Sequence, residues 1–329
     1  MSTAALWSRW SPVVGHWQIE APMIAPALRN VQTGTLRRLA PVSTIGRDPS
    51  NLIRLDDPST SRAHAIVQWD DHAWTLRDLG SINGTRVGSR RVAGERLALH
   101  AGDRITFGKE VEVWELVGAS PPQPFAWCPK PRDEVGASAN VLFLATESGA
   151  PAATVFRGRE GGWVLERGDE QVAVEDGESI DIDGRVWRLI LPDAAHVTHA
   201  PNAVSLASAV VHLTVSRDWE HVALRLVDRG QELDLGELQC WAVVLLLAQE
   251  RIRDADGPEH DQGWMDIEQI CRDLAMRRGT VDVLITRARQ ALADRGVVGS
   301  ERIVVARRGQ RRTDLGAGAF VIHQDRAGA

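Results

Sequence analysis

The sequence has few of the features that would place it in several familiar classes. Its three cysteines, Cys128, Cys240 and Cys271, lie far apart with no CxxC pair, which argues against a disulfide framework or a zinc site. No apolar run is long enough for a signal peptide or a membrane span, and the start lacks a basic n-region; a reducing, cytoplasmic location is expected. There is no Walker loop, HExxH, GxSxG or kinase Asp-Phe-Gly set. The chain is therefore expected not to be an enzyme, and no catalytic residue, metal or cofactor is assigned. The net charge of −6 over 329 residues leaves neither a basic coat nor an acidic tail, so any nucleic-acid surface must be local.

What the sequence does contain is concentrated between Thr44 and Thr85. Four islands stand where strand patterns stop: Ile45–Gly46–Arg47, Ser61–Arg62–Ala63–His64, Asp78–Leu79–Gly80–Ser81 and Asn83–Gly84–Thr85. Their chemistry suits a phosphorylated peptide. Arg47 supplies a guanidinium for charge-assisted hydrogen bonds, each worth roughly 1.5–3 kcal/mol. Ser61 supplies a small hydroxyl, and the Asn83 amide can pair with a peptide backbone because it both donates and accepts. Gly46 and Gly84 permit turns that a Cβ resists. His64 has no second ligand at metal spacing and reads as structural.

These islands, with Asn51–x–Ile53–x–Leu55 between the first two, resemble a forkhead-associated (FHA) domain, a phosphothreonine-reading β-sandwich. The resemblance covers roughly Leu28 to Val117. It implies that Arg47 and Ser61 hold the phosphate, Asn83 holds the peptide backbone and Arg62 borders the phosphothreonine methyl pocket. It also implies that Gly46, His64, Gly84 and Thr85 brace the loops. Ile82 departs from the pattern where some members place a hydroxyl that adds a hydrogen bond.

Short alternating runs from Gly34 to Val117, such as Ala65–Trp69 and Ala73–Leu76, read as an all-β sandwich over 28–118. Residues 1–27 carry Trp7, Trp10 and Trp17 and read as a tail. Five prolines between Ser120 and Pro131 predict a linker over 119–136. Strand runs over 137–192 then predict a small, acidic β-rich module without a site, acting as a spacer or docking surface.

From Ala203 the pattern changes to three strand-like runs, then a helix over Leu235–Arg253 and a second near Ile267–Leu274. A third helix follows, with Thr280 as its cap. At 100° per residue, Val281, Ile285, Ala288 and Leu292 share one face of that helix, and Val283, Thr286, Arg287 and Gln290 share the other. A hairpin of Arg302–Val305 and Ala319–Ile322 is expected around an Arg307–Arg312 tip. This order resembles the winged-helix DNA-binding domain of OmpR-like response regulators over 203–324. The resemblance implies that Thr280 and Arg289 meet phosphates and that Val283 and Arg287 enter the major groove. Thr286 and Gln290 on the same face, and Arg307, Arg308, Arg311 and Arg312 in the wing, complete the expected DNA surface.

Charge distribution agrees with that reading. Between Cys271 and Arg312 there are 11 arginines against four acids, a balance of +7, whereas Asp228 to Ile270 has three basic and 11 acidic residues, −8. The expected fold is thus mainly β with an α/β winged helix: an FHA sandwich, a small β module and a winged helix-turn-helix domain. The expected partners are a phosphothreonine-containing protein, either a Ser/Thr kinase or its substrate, and double-stranded DNA bound by one copy or a homodimer. No membrane partner is expected. The rival expectation is an adaptor whose winged helix binds protein.

Overall fold

A computed structural model describes residues 25–324 except 93, 110, 111, 130, 131, 159, 194–202 and 218–220; most of the expected N-terminal tail, including its three tryptophans, lies outside the described residues. These fall into two units, one built from 25–165 and 172–193, the other from 166–171 and 203–324.

In the first unit, residues 27–117 form two sheets. One, of six strands, runs in the order Leu36–Arg38, Ala27–Asn30, Val113–Val117, Arg104–Phe107, Thr85–Val87, Arg90–Val92. The other, of five, runs Ile53–Arg54, Val42–Gly46, Ala65–Trp69, Trp74–Asp78, Leu97–Leu99. Alternation places one face of each strand inside: Ala65 and Val67 are buried, as are Trp74 and Leu76 on the antiparallel neighbour. Together with Leu28, Ile45, Ile53, Ile105 and Leu116 they make one apolar core, and this burial is the main force holding the sheets together. Trp74 and Trp69 pack ring to ring at 5.5 Å, and the Trp74 indole N–H donates to the Ser120 carbonyl at 2.9 Å.

The expected linker over 119–136 is corrected by the structure. Phe125–Pro129 and Arg132–Gly136 are paired strands in a four-stranded sheet with Arg185–Ile190 and Ser179–Ile182. Phe125, Ala126 and Cys128 are buried. The prolines do not prevent pairing because Pro129 closes its strand, where a missing N–H matters least. A second four-stranded sheet, Leu142–Ala145, Pro151–Arg157, Trp163–Arg167 and Glu170–Val174, contributes to the same core as Trp187 and Leu189. Phe125 and Ile190 also pack on Ala40 of the sandwich, and the Arg38 backbone N–H donates to the Glu134 carboxylate at 2.9 Å. Burial pushes the Glu134 carboxyl up despite that bond.

In the second unit, a sheet in the order Gln231–Glu237, Val222–Asp228, Val210–Val215, Phe320–Gln324 packs with three helices, α1 (Trp241–Arg253), α2 (Ile267–Asp273) and α3 (Arg278–Ala293). Two helix starts differ from expectation. Helix α1 begins at Trp241 because Leu235 belongs to a strand. Helix α3 begins at Arg278, so Thr280 lies in its first turn and does not cap it. The expected hairpin is also shorter. Val305–Arg307 pairs with Gln310–Arg312 around Arg308 and Gly309, whose φ angles are 34° and 80°. Phe320–Gln324 instead runs parallel to Val210–Val215. All three cysteines are buried and none forms a disulfide among the described residues, and burial pushes the Cys240 thiol to about 12. Among the described residues no helix is long and apolar enough to cross a membrane.

Candidate functional site

At one end of the sandwich three loops are tied into a single surface. The Arg47 and Asp48 backbone N–H groups donate to the Ser61 and Arg62 carbonyls at 3.0 and 3.1 Å, joining the loop after Val42–Gly46 to the loop before Ala65–Trp69. The Asn51 amide nitrogen reinforces the joint, donating to Asp48 O at 2.9 Å and Arg62 O at 2.7 Å. The backbones approach so closely that a Cβ on Gly46 would stand 2.2 Å from the Arg62 carbonyl oxygen. Only glycine fits there without a backbone shift.

His64, fully buried, connects the second loop to the third. Its Nδ1 accepts from the Ser61 backbone N–H at 3.0 Å, and its Nε2 lies 3.2 Å from the Gly84 carbonyl oxygen. The first bond requires a bare Nδ1 and the second a protonated Nε2, so the ring is the neutral Nε2–H tautomer. Burial lowers its pKa in keeping with this, more than the Gly84 bond and Asp78 raise it. Gly84 itself has φ +83°, a left-handed turn open to glycine.

The third loop is anchored by Asp78, which lies in one of the four sequence islands but was given no role there. Its carboxylate accepts from Ser81 N at 2.8 Å, Ser81 Oγ at 2.7 Å and Thr85 Oγ1 at 2.5 Å. Burial pushes this carboxyl up, but the bonds from Thr85 and Ser81 outweigh it and the pKa is lowered. The Asp78–x–x–Ser81 spacing, an acid followed by a turn hydroxyl, was the available signal.

The four candidate ligand-holding residues border this framework. The Ser61 hydroxyl accepts from Ile82 N at 3.1 Å. The Asn83 amide nitrogen donates to Ser59 O at 2.7 Å, leaving its oxygen for a peptide N–H. Arg47 uses only Nε internally, toward Thr60 O at 3.3 Å. Arg47 and Arg62 are exposed, and neither forms an ion pair among the described residues. Two exposed guanidiniums without an ion pair, a hydroxyl and an amide at the end of a rigid sandwich make an anion-binding surface.

The helical unit behaves differently. The apolar face of α3 is buried as expected, with Val281, Ile285, Ala288 and Leu292 inside. Thr280, Arg287 and Gln290 are exposed, and Val283 and Thr286 are half-buried. Three expected DNA contacts are corrected. Arg289 is 1% exposed, donates through Nε and Nη2 to Val304 O and is ion-paired with Glu166. Arg311 is 2% exposed and pairs with Asp169 at 2.6 Å and Asp282 at 3.4 Å. Arg312 is also buried, donating to the Glu259 and His260 carbonyls and pairing with Asp314. The last two arginines belong to a strand and not to a solvated tip. Arg307 lies over the Trp264 ring at 4.2 Å, and Arg307 and Arg308 remain exposed.

The family model for the FHA domain matches residues 43–108. An oxoglutarate dehydrogenase inhibitor from Corynebacterium diphtheriae is 39% identical over 69 residues, which is 21% of this chain and 47% of the relative. The glycogen accumulation regulator GarA of Mycobacterium tuberculosis is 37% identical over 68 residues, 21% of this chain and 41% of its own. The chain spans about half the length of the curated relatives it matches. A solved structure of Mycobacterium tuberculosis EmbR in complex with a low affinity phosphopeptide is similar at 27% identity over 29% of this chain and 24% of that one, with a TM-score of 0.27. Residues 43–108, which carry the three tied loops, are an FHA domain.

Proposed function

We propose that this protein reads a phosphothreonine peptide through its FHA domain and couples that event to binding of duplex DNA. Arg47 and Ser61 take the phosphate, Asn83 the peptide backbone, and Arg62 borders the threonine methyl. Gly46, His64, Gly84, Thr85 and Asp78 hold the three loops in place. The observation that carries the reading is the pair of exposed guanidiniums, neither in an ion pair among the described residues, on the loops that carry Ser61 and Asn83. The role requires no catalysis and no cofactor. The ligand is a phosphorylated segment of a Ser/Thr kinase or of its substrate. Titrating a phosphothreonine peptide library with the full chain tests it: saturable binding lost in Arg47→Ala and with unphosphorylated peptides is expected, and no binding to any phosphopeptide overturns it.

For the helical unit, we propose a winged-helix domain. Thr280, Val283, Thr286, Arg287 and Gln290 of α3 and Arg307 and Arg308 of the hairpin form the DNA-facing set. Arg287→Ala would cost roughly 1–3 kcal/mol at a specific site. The burial of Arg289, Arg311 and Arg312 favours a second reading, an adaptor whose helical unit binds protein. An adaptor shifts no duplex at any salt while retaining the phosphopeptide.

A further inference from the structure

The six-stranded FHA sheet ends in a basic edge that adjoins the candidate site. Its last strand, Arg90–Val92, pairs with Thr85–Val87 so that Val92 stands opposite Thr85 and Arg91 opposite Arg86. Val92 and Thr85 are buried, so Arg91 and Arg86, one residue along each strand, face away from the core. Thr106 lies opposite Arg86 on the next strand, and Arg104, two residues before it, shares that outer face. All three arginines are exposed. Strand spacing and rise put Arg91 and Arg104 about 12 Å apart along the backbone surface, with Arg86 between them.

The nearest acid on this face is already engaged. Glu115, opposite Arg104, accepts from Arg29 at 3.1 Å through both carboxylate oxygens. Neither Arg91 nor Arg104 forms an ion pair among the described residues. Like charges directly opposite one another weaken a strand pair, so sheet stability does not account for Arg91 facing Arg86. Arg91 also reaches the site diagonally. Gly84, two residues before Arg86, leaves its side-chain space empty, and the Arg91 guanidinium lies over it: a Cβ on Gly84 would stand 2.9 Å from Arg91 Nε and 3.0 Å from Nη2. Gly84 directly follows Asn83, the residue proposed to hold the peptide backbone, so the basic edge is continuous with the phosphopeptide surface.

We infer that Arg91 and Arg104, with Arg86 between them, form a second anion-binding surface that takes an acidic segment, a run of Asp or Glu, on the same partner whose phosphothreonine enters the loops. This rests on the phosphothreonine reading of the FHA domain. An extended peptide held at Asn83 advances about 3.3 Å per residue, so its carboxylates come to Arg91 within roughly three residues and to Arg104 about four residues later. Once the phosphothreonine is bound, the second contact is intramolecular and adds to affinity although each exposed ion pair is weak.

The test titrates the full chain with fluorescently labelled phosphothreonine peptides. All share one core, the tightest binder from the peptide library, extended by four Glu or four Gln on its N-terminal side in one pair and on its C-terminal side in the other. One Glu peptide should bind about three- to tenfold more tightly than its Gln counterpart, as two exposed ion pairs allow, and the difference should shrink in high salt. This comparison needs no variant. Arg91→Gln combined with Arg104→Gln should abolish the difference while binding the Gln peptides as the parent does, which also shows that the variant is folded. Arg90→Gln, removing the same charge from the adjacent residue on the opposite face, should preserve the difference. Equal binding of Glu and Gln peptides by the parent, with phosphorylation still required, overturns the inference and leaves the FHA reading standing. A Glu preference that survives in the double variant overturns it as well. If the parent binds no phosphothreonine peptide, the FHA reading falls and takes the inference with it. If the parent shows no Glu preference and the double variant loses binding to a labelled random-sequence duplex, the edge belongs to nucleic acid and the inference falls.

Discussion

Two groups of arginines in this protein have been treated in opposite ways. In the FHA loops, Arg47 and Arg62 are exposed and form no ion pair among the described residues, while the groups that brace the loops, neutral His64 and ionised Asp78, are fully buried and half-buried respectively. Around α3, Arg289, Arg311 and Arg312 are buried and each is met by a carboxylate and by backbone carbonyls. A guanidinium removed from water must be compensated, and the fold has supplied the compensation. One left in water need not be, and its unfilled donors are available to a ligand. Residue type alone does not mark a site; the state of compensation does.

That contrast predicts opposite responses to substitution. The largest effect falls on the closed cluster. Glu166→Gln leaves Arg289 buried without its carboxylate and should destabilise the helical unit by about 3–5 kcal/mol, read as a lower denaturant midpoint for that unit. A midpoint unchanged by Glu166→Gln would mean the pair contributes nothing and would erase the distinction. Arg47→Ala is the complementary test. Stability should move by no more than about 0.5 kcal/mol, whereas phosphopeptide affinity should fall by roughly 1.5–3 kcal/mol for each charge-assisted bond lost, at least tenfold by titration.

A smaller effect concerns the braces under the open site. Burial lowers the His64 pKa, so below the unfolded value of about 6.5 the unfolded chain binds a proton that the folded one refuses. The stabilisation is therefore complete above about pH 6.5 and is lost as pH falls toward the folded pKa, by at most about 1.4 kcal/mol per pH unit. Asp78, whose pKa is lowered, contributes stability present above about pH 3.9 and lost only in stronger acid. Thermal unfolding should thus show two separate declines on acidification, and His64→Gln should remove the upper one while leaving the lower.

The same contrast explains what was legible in the sequence. The FHA loops could be read because their functional groups sit on short turns between alternating strands, and each turn carries its own local signature. Asp78, although inside one of the four islands, drew no role because that role is to accept bonds from Ser81 and Thr85, several residues on. The strand at Phe125–Pro129 escaped because proline density suggested a linker, although Phe125, Ala126 and Cys128 all turned out to be buried. The short hairpin was misjudged because Phe320–Gln324 pairs with Val210–Val215, more than 100 residues away, which no local pattern announces. Arg289 is more instructive. At 100° per residue it falls about 80° from Val281, only about 40° beyond Ile285, so the helical wheel already placed it at the edge of the buried face. The family resemblance directed attention to its charge, and the acid that neutralises it, Glu166, is 123 residues distant.

The finest test of the open site is Ile82. Its side chain is 86% exposed in the loop between Ser81 and Asn83, and its backbone N–H is already engaged by the Ser61 hydroxyl. Ile82→Thr keeps the β-branch and adds a donor beside the groups proposed to hold the phosphate, at a position where stability should shift by no more than about 0.5 kcal/mol. One further net hydrogen bond is worth about 0.5–1.5 kcal/mol, so phosphopeptide affinity should rise about two- to tenfold. Ile82→Val, with the branch but no hydroxyl, should leave it unchanged. Equal affinity for the Thr and Val variants would mean that the phosphate lies out of reach of this position. The ligand would then be held by Arg47, Ser61 and Asn83 alone, and the open surface would be smaller than its exposed residues suggest.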